Sequence, residues 1–258
     1  MSSKLIAVIS PAKLLDDSSR YPELSATQPL FQDEAKALIQ KLKKLSSKEV
    51  SELMDLSPAL GQLNKDRFNE WHLPFDQSNS IPSVLMFKGD VYRGLKAEEL
   101  GKKQLEWAQD HLRILSGLYG ILKPLDLIQP YRLMMGTPFS PSSKHKNLYS
   151  YWGNQLAESL KQEVDSKGVV VNLASQEYFK AVPLQALDRR VVTCEFKERK
   201  GGKVSIVSTY AKLARGMMAR YIIDNKITKS VDLKGFDSER YLFEPGLSTE
   251  NEYVFVRG

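Results

Sequence analysis

The side chains best suited to chemistry in this chain are its cations, and they are unevenly spread. Between Lys197 and Arg220 stand seven basic residues (Lys197, Arg199, Lys200, Lys203, Lys212, Arg215, Arg220) against one acid, Glu198. That imbalance accounts for the whole formal net charge of +6. Positive charge concentrated in this way is the electrostatic footprint of a polyanion binder, and its plain alternative is a solvated face. At 100° per residue, Lys212, Arg215 and Arg220 fall on one side of a helix predicted over about 209–225. Leu213, Met217, Met218 and Tyr221 fall on the other, the side expected to dock on the core.

A second candidate runs from Leu112 to Lys123. Ser116, Gly117, Tyr119 and Gly120 form a glycine-bracketed turn with Arg113 and Lys123 at its two ends. The pattern resembles a helix-hairpin-helix element, in which glycines let backbone N–H groups approach a phosphate. Such contacts position a duplex without reading its sequence. Pro124 interrupts the second helix, so a helix end followed by an ordinary turn is the competing reading.

Two strand-to-helix junctions could hold an anion or a small substrate. Ser10-Pro11-Ala12-Lys13 follows the apolar run Leu5–Ile9, where open α/β sheets place ligands. Asn172-Leu173-Ala174-Ser175 leads into a second helical segment carrying Tyr178. Its free N–H groups attract anions, although Ser175 is equally well explained as an N-cap. Tyr131 and Arg132 sit in a loop that would suit a binding wall, as would the loop-like segment Phe87–Tyr92. An enzyme acting on a nucleotide or damaged nucleic acid would need Lys13, Ser116, Tyr131, Arg132, Ser175 and Lys180 in one pocket.

Other chemistries lack their signatures. His72, His111 and His145 are far apart and without metal-ligand spacing, so no metal is expected. No P-loop, dinucleotide fingerprint or nucleophile elbow is present, and no cofactor is expected. The lone cysteine, Cys194, stands in an apolar strand pattern and reads as a small packing residue. It leaves no disulfide framework and fits a reducing compartment. Without an apolar run of about 20 residues or a signal-peptide pattern, the expected location is the cytoplasm.

The elements that must position these groups are predicted from periodicity. Buried strands are expected at Leu5–Ser10 and Val169–Leu173, a hairpin around Gly201-Gly202, and a last strand pair at 241–243 and 253–256. Helices are expected after the capping box at Ser46–Glu49, and from Ser57-Pro58 through Leu60 and Leu63. Further helices are expected through Leu105–Leu115 and through Leu148–Val164, with a loop over 17–28. The sum is a mixed α/β (α+β) chain: a single domain over 1–258, with a mixed sheet, flanking helices and the hairpin element.

Several of these segments also carry a family likeness. Ile9–Lys13, Phe87–Tyr92, Leu115–Gly120, Gln129–Arg132, Asn172–Ser175 with Glu177–Lys180, and Tyr210–Lys212 with Ala214–Gly216 resemble, in order, the motifs of the YaaA peroxide stress resistance family. The resemblance implies a DNA-binding protein of the oxidative stress response that limits free-iron damage. It would use a helix-hairpin-helix element and a basic cleft drawing on Lys13, Lys88, Arg113, Lys123, Arg132, Lys180, Lys212, Arg215 and Arg220. The implied partner is DNA, bound by backbone or structure, with no membrane.

Overall fold

Leu5–Ile9 is apolar at every position and fully buried, as expected of a strand covered on both faces. In the computed structural model, which describes residues 4–18 and 25–258, it lies at the heart of an eight-stranded sheet. Parallel neighbours flank it, Leu112–Ser116 on one side and Val169–Leu173 on the other. Beyond Val169–Leu173 the parallel run continues through Arg190–Lys200 and Glu252–Arg257. Antiparallel partners close the borders: Gly120–Leu122 on Leu112–Ser116, Lys203–Ser205 on Arg190–Lys200, and Leu242–Phe243 on Glu252–Arg257. One continuous hydrophobic core joins this sheet to its flanking helices, giving the single mixed α/β domain that the sequence predicts.

Local signals held where they were chemical. Ser46 and Glu49 form the reciprocal capping box that opens Ser47–Met54, and Ser57 caps Pro58–Glu70. The hairpin at Gly201-Gly202 forms with both glycines at positive φ, and Cys194 is buried. In Pro58–Glu70, however, the buried side is Gly61, Asn64 and Phe68, while Leu60 and Leu63 face solvent. The stripe predicted over Leu148–Val164 breaks into Leu148–Trp152 and Gln155–Glu163 at Gly153, whose φ of 49° a continuous helix cannot hold. Phe87–Tyr92 is no loop: Phe87–Lys88 is a short strand and Asp90–Leu95 a helix. Residues 19–24 of the loop predicted over 17–28 lie outside the described residues.

The largest correction concerns the glycine turn. The helix Lys102–His111 stops short, and Leu112–Ser116 is a sheet strand instead of the helix's last turn. Residues 116–120 therefore join two antiparallel strands in a β-hairpin, not a helix-hairpin-helix. Ser116 Oγ accepts the N–H groups of Leu118 and Tyr119, closing the turn inside the core. Gly117 is required because a Cβ there would meet the Leu133 carbonyl at 2.3 Å. Its own carbonyl accepts from Trp152 Nε1. Ser116, Gly117, Tyr119 and Gly120 are all buried, so none offers an N–H to a phosphate.

Candidate functional site

The chain leaves Leu5–Ile9 for Leu112–Ser116 on one side, then returns with Val169–Leu173 on the other. The two outgoing directions diverge between Leu5–Ile9 and Val169–Leu173, and open α/β sheets bind ligands in the crevice at such a switch point, beyond the carboxyl ends of the strands. A cleft of about 350 Å³ lies there. Its floor is the pair of strand ends: Ser175 N–H donates to Ser10 Oγ at 2.9 Å, and the Ser10 hydroxyl reaches Ser175 Oγ at 3.3 Å. Ser175 stands at the N-cap position, but its side chain caps no backbone N–H.

Three stretches of chain build the walls. The short strand Leu14–Leu15 pairs antiparallel with Phe87–Lys88, which sets Lys13 and Lys88 on one wall. Tyr92 holds that wall to the floor by donating to the Ser10 carbonyl at 3.2 Å. The facing wall is the helix Ser208–Asp224, which brings Lys212 and Arg215. This helix seats itself on Asp90–Leu95 through glycines: a Cβ on Gly216 would meet the Val91 carbonyl at 1.8 Å, and one on Gly94 the Leu213 carbonyl at 2.2 Å. Glu177, Tyr178 and Met134 complete the lining.

Charge in the cleft is only partly compensated. Lys88 lies 3.8 Å from Asp16 and Asp90 pairs with Arg93, while Glu177 accepts the Gly136 N–H. Arg215 Nε is buried without a hydrogen-bond partner among the described residues. Burial lowers the Arg215 pKa, and the charge of Glu195 pulls against that shift. Beneath the cleft Tyr131 and Ser116 share a hydrogen bond of 2.6 Å, and burial raises the pKa of Tyr92, Tyr131 and Tyr178. These phenols are neutral hydrogen-bonding groups at physiological pH.

The sequence-predicted residues thus divide. Ser10, Lys13, Lys88, Ser175, Tyr178, Lys212 and Arg215 converge on the cleft. Asn172 turns away to Thr193 Oγ1 and the Ala174 N–H, and Ser116 and Tyr131 lie in the core. Arg132 is half-buried, and burial lowers its pKa. Lys180 stacks over the Tyr149 ring at 5.1 Å. The six groups of the enzyme reading therefore do not converge, since only Lys13 and Ser175 line the cleft.

The basic stretch is no single surface either. Lys197, Arg199 and Arg220 are spent on Glu195, Glu244 and Asp224 respectively. Arg113 is buried in a bidentate pair with Glu163, which Lys123 also approaches at 3.9 Å, so neither extends the cleft. The helix presents its faces differently from the sequence pattern, burying Ala211, Ala214, Gly216, Met218, Ala219, Ile222 and Ile223 and leaving Leu213, Met217 and Tyr221 half-exposed. Asp90 reaches the cleft within the segment Phe87–Tyr92 that the sequence offers as a binding wall, whereas Met134 and Glu177 are lining residues that the sequence reading does not name as site residues.

Fold and cleft together define an α/β protein with a cationic crevice at the switch point of a mostly parallel sheet. Among the described residues no helix is long and apolar enough to cross a membrane, and no group of His, Cys, Asp and Glu is placed to hold a metal ion. The family model described as peroxide stress protein YaaA matches residues 5–247. A UPF0246 protein of Bordetella pertussis is 51% identical over 255 residues, covering 98% of this chain and 99% of its own length. A UPF0246 protein of Cellvibrio japonicus is 49% identical, covering 98% of each chain. The chain belongs to the peroxide stress protein YaaA family.

Proposed function

We infer that this family member serves the peroxide stress response as a DNA-binding protein that contacts the nucleic-acid backbone through the cleft, without reading sequence. The supporting observation is the convergence of Lys13, Lys88, Lys212 and Arg215, from three separate stretches of chain, on one crevice at the switch point. Cations so gathered attract phosphates and carry no base-specific pattern. The glycine hairpin takes no part in this reading, because it is buried. Protection of DNA and restraint of free-iron damage, which the family resemblance implies, would follow from occupancy of the DNA.

The test is anisotropy of labelled duplex, single-stranded and branched DNA over a salt series, comparing wild type with Lys212→Glu/Arg215→Glu. Affinity is expected to fall linearly in log–log form with salt. The double variant is expected to lose most of the binding and about two units of slope. Binding that ignores salt, or that survives the double substitution unchanged, would refute the reading.

A further inference from the structure

Three cations at the cleft lack a direct ion-pair partner among the described residues. Lys13, Lys212 and Arg215 make neither a hydrogen bond nor an ion pair among the described residues, whereas the cleft's other charges are held. A buried guanidinium nitrogen without an acceptor is an unfavourable state that folding alone does not explain. An anion in the crevice would offset the positive charge there.

Charge and size narrow what that anion is. A backbone phosphodiester brings one negative charge, whereas a phosphate monoester brings nearly two near neutral pH. Lys13, Lys212 and Arg215 set against the one carboxylate of Glu177 leave a surplus near +2 in the crevice, which matches the monoester better. The volume of about 350 Å³ is at the small end for ligand sites and leaves room for one nucleotide. A duplex is too wide to enter it and could only lay its backbone against the cations at the mouth. Pro11, Val91 and Met134 add apolar lining of the kind a sugar or base packs against.

We propose that the cleft is a seat for the phosphate monoester of a single nucleotide, either free or at the 5′ end of a DNA strand. The phosphate lies among Lys13, Lys212 and Arg215 above the joined strand ends, and the nucleoside lies along the apolar wall. The inference uses the same cleft as the DNA reading but makes a separate demand, a terminal phosphate in place of a backbone.

Calorimetry with adenosine 5′-monophosphate, adenosine and inorganic phosphate tests the free form. Anisotropy with two oligonucleotides identical except for a 5′-phosphate tests the strand end. The monophosphate is expected to bind at least tenfold more tightly than adenosine, or the phosphorylated strand tenfold more tightly than its 5′-hydroxyl twin. Whichever preference appears identifies the source of the phosphate. Lys212→Ala, at an exposed position, should remove at least tenfold of that preference, and Arg215→Gln, with its fold checked by circular dichroism, should remove more. Lys203→Ala, away from the cleft, should remove none. If adenosine and its monophosphate bind alike, and both strands bind alike, the seat is refuted even where salt-dependent DNA binding persists. Monophosphate binding without any DNA binding would instead sink the DNA reading and leave the seat standing.

Discussion

The backbone N–H of Ser175 donates to Ser10 Oγ at 2.9 Å, joining the ends of two parallel strands across 165 residues of sequence. Strands Leu5–Ile9 and Val169–Leu173 run in register, with Ile9 opposite Leu173, so their exit loops leave side by side. Without a tie the loops would be free to splay, because the ladder's hydrogen bonds end at that register. The serine hydroxyl supplies the missing acceptor and fixes the cleft floor.

Ser10→Ala should therefore loosen the site out of proportion to its size. It removes the acceptor of the part-buried Ser175 N–H, a net loss of about 0.5–1.5 kcal/mol. Urea melts should show that destabilisation, and ligand or DNA affinity should fall with it. Ser10→Thr keeps the hydroxyl and should restore most of both. An alanine variant that melts and binds like wild type would show that the link does not organise the cleft.

Gly216→Ala tests how the cationic helix is seated. The added methyl would lie 1.8 Å from the Val91 carbonyl, so the Ser208–Asp224 helix must move away from Asp90–Leu95. Overpacking of this kind costs about 1–3 kcal/mol. Because Val91 and Arg215 both line the cleft, the movement should also weaken binding. Thermal melts and affinity should change together, and a loss of stability with full affinity would separate the helix seat from the site.

What the sequence revealed and what it hid follow from how local each cause is. Leu5–Ile9 and Val169–Leu173 were readable because a strand covered on both faces must be apolar throughout, and the cleft was half-readable because it opens at their ends. Leu112–Ser116 was misread because Leu105, Ala108, Leu112 and Leu115 keep helical spacing, while the chain changes to strand after His111. The family resemblance also places Arg113 in the DNA-binding cleft. The carboxylate that buries it, Glu163, is 50 residues away, and nothing near Arg113 announces that partner. The glycines at 117 and 120 were correctly seen as special, but packing against Leu133 and Trp152 explains them, not phosphate contact.

That reassignment gives a prediction of its own. Glu163→Gln removes one partner of the ion pair and leaves Arg113 charged in the core. Breaking a buried pair in this way costs about 3–5 kcal/mol. Burial resists ionisation of Glu163, but the hydrogen bond and charge of Arg113 outweigh it and hold the carboxyl below its ordinary pKa. The variant should melt well below wild type yet bind DNA normally at temperatures where it remains folded. Loss of binding by a folded variant would return the hairpin region to the functional surface.

Asp126 makes the last prediction, and its sign runs opposite to the usual carboxylate. Burial pushes its pKa up to about 6, against hydrogen bonds from the Thr27 hydroxyl and the Lys123 N–H and the charges of Arg113 and Lys123. In the unfolded chain an aspartate titrates at about 4. Between those values the folded state holds a proton that the unfolded state has released, so this group's contribution is complete below about pH 4 and lost as pH rises through about 6. Asp126→Asn removes the titration. The stability of wild type minus that of the variant should therefore grow as pH is lowered from 7.5 to 4, by up to about 3 kcal/mol for a shift of two units. Urea melts of both proteins across that range measure the difference. A difference that stays flat, or shrinks on acidification, would mean that the hydrogen bonds from Thr27 and Lys123 stabilise the carboxylate more than burial opposes it.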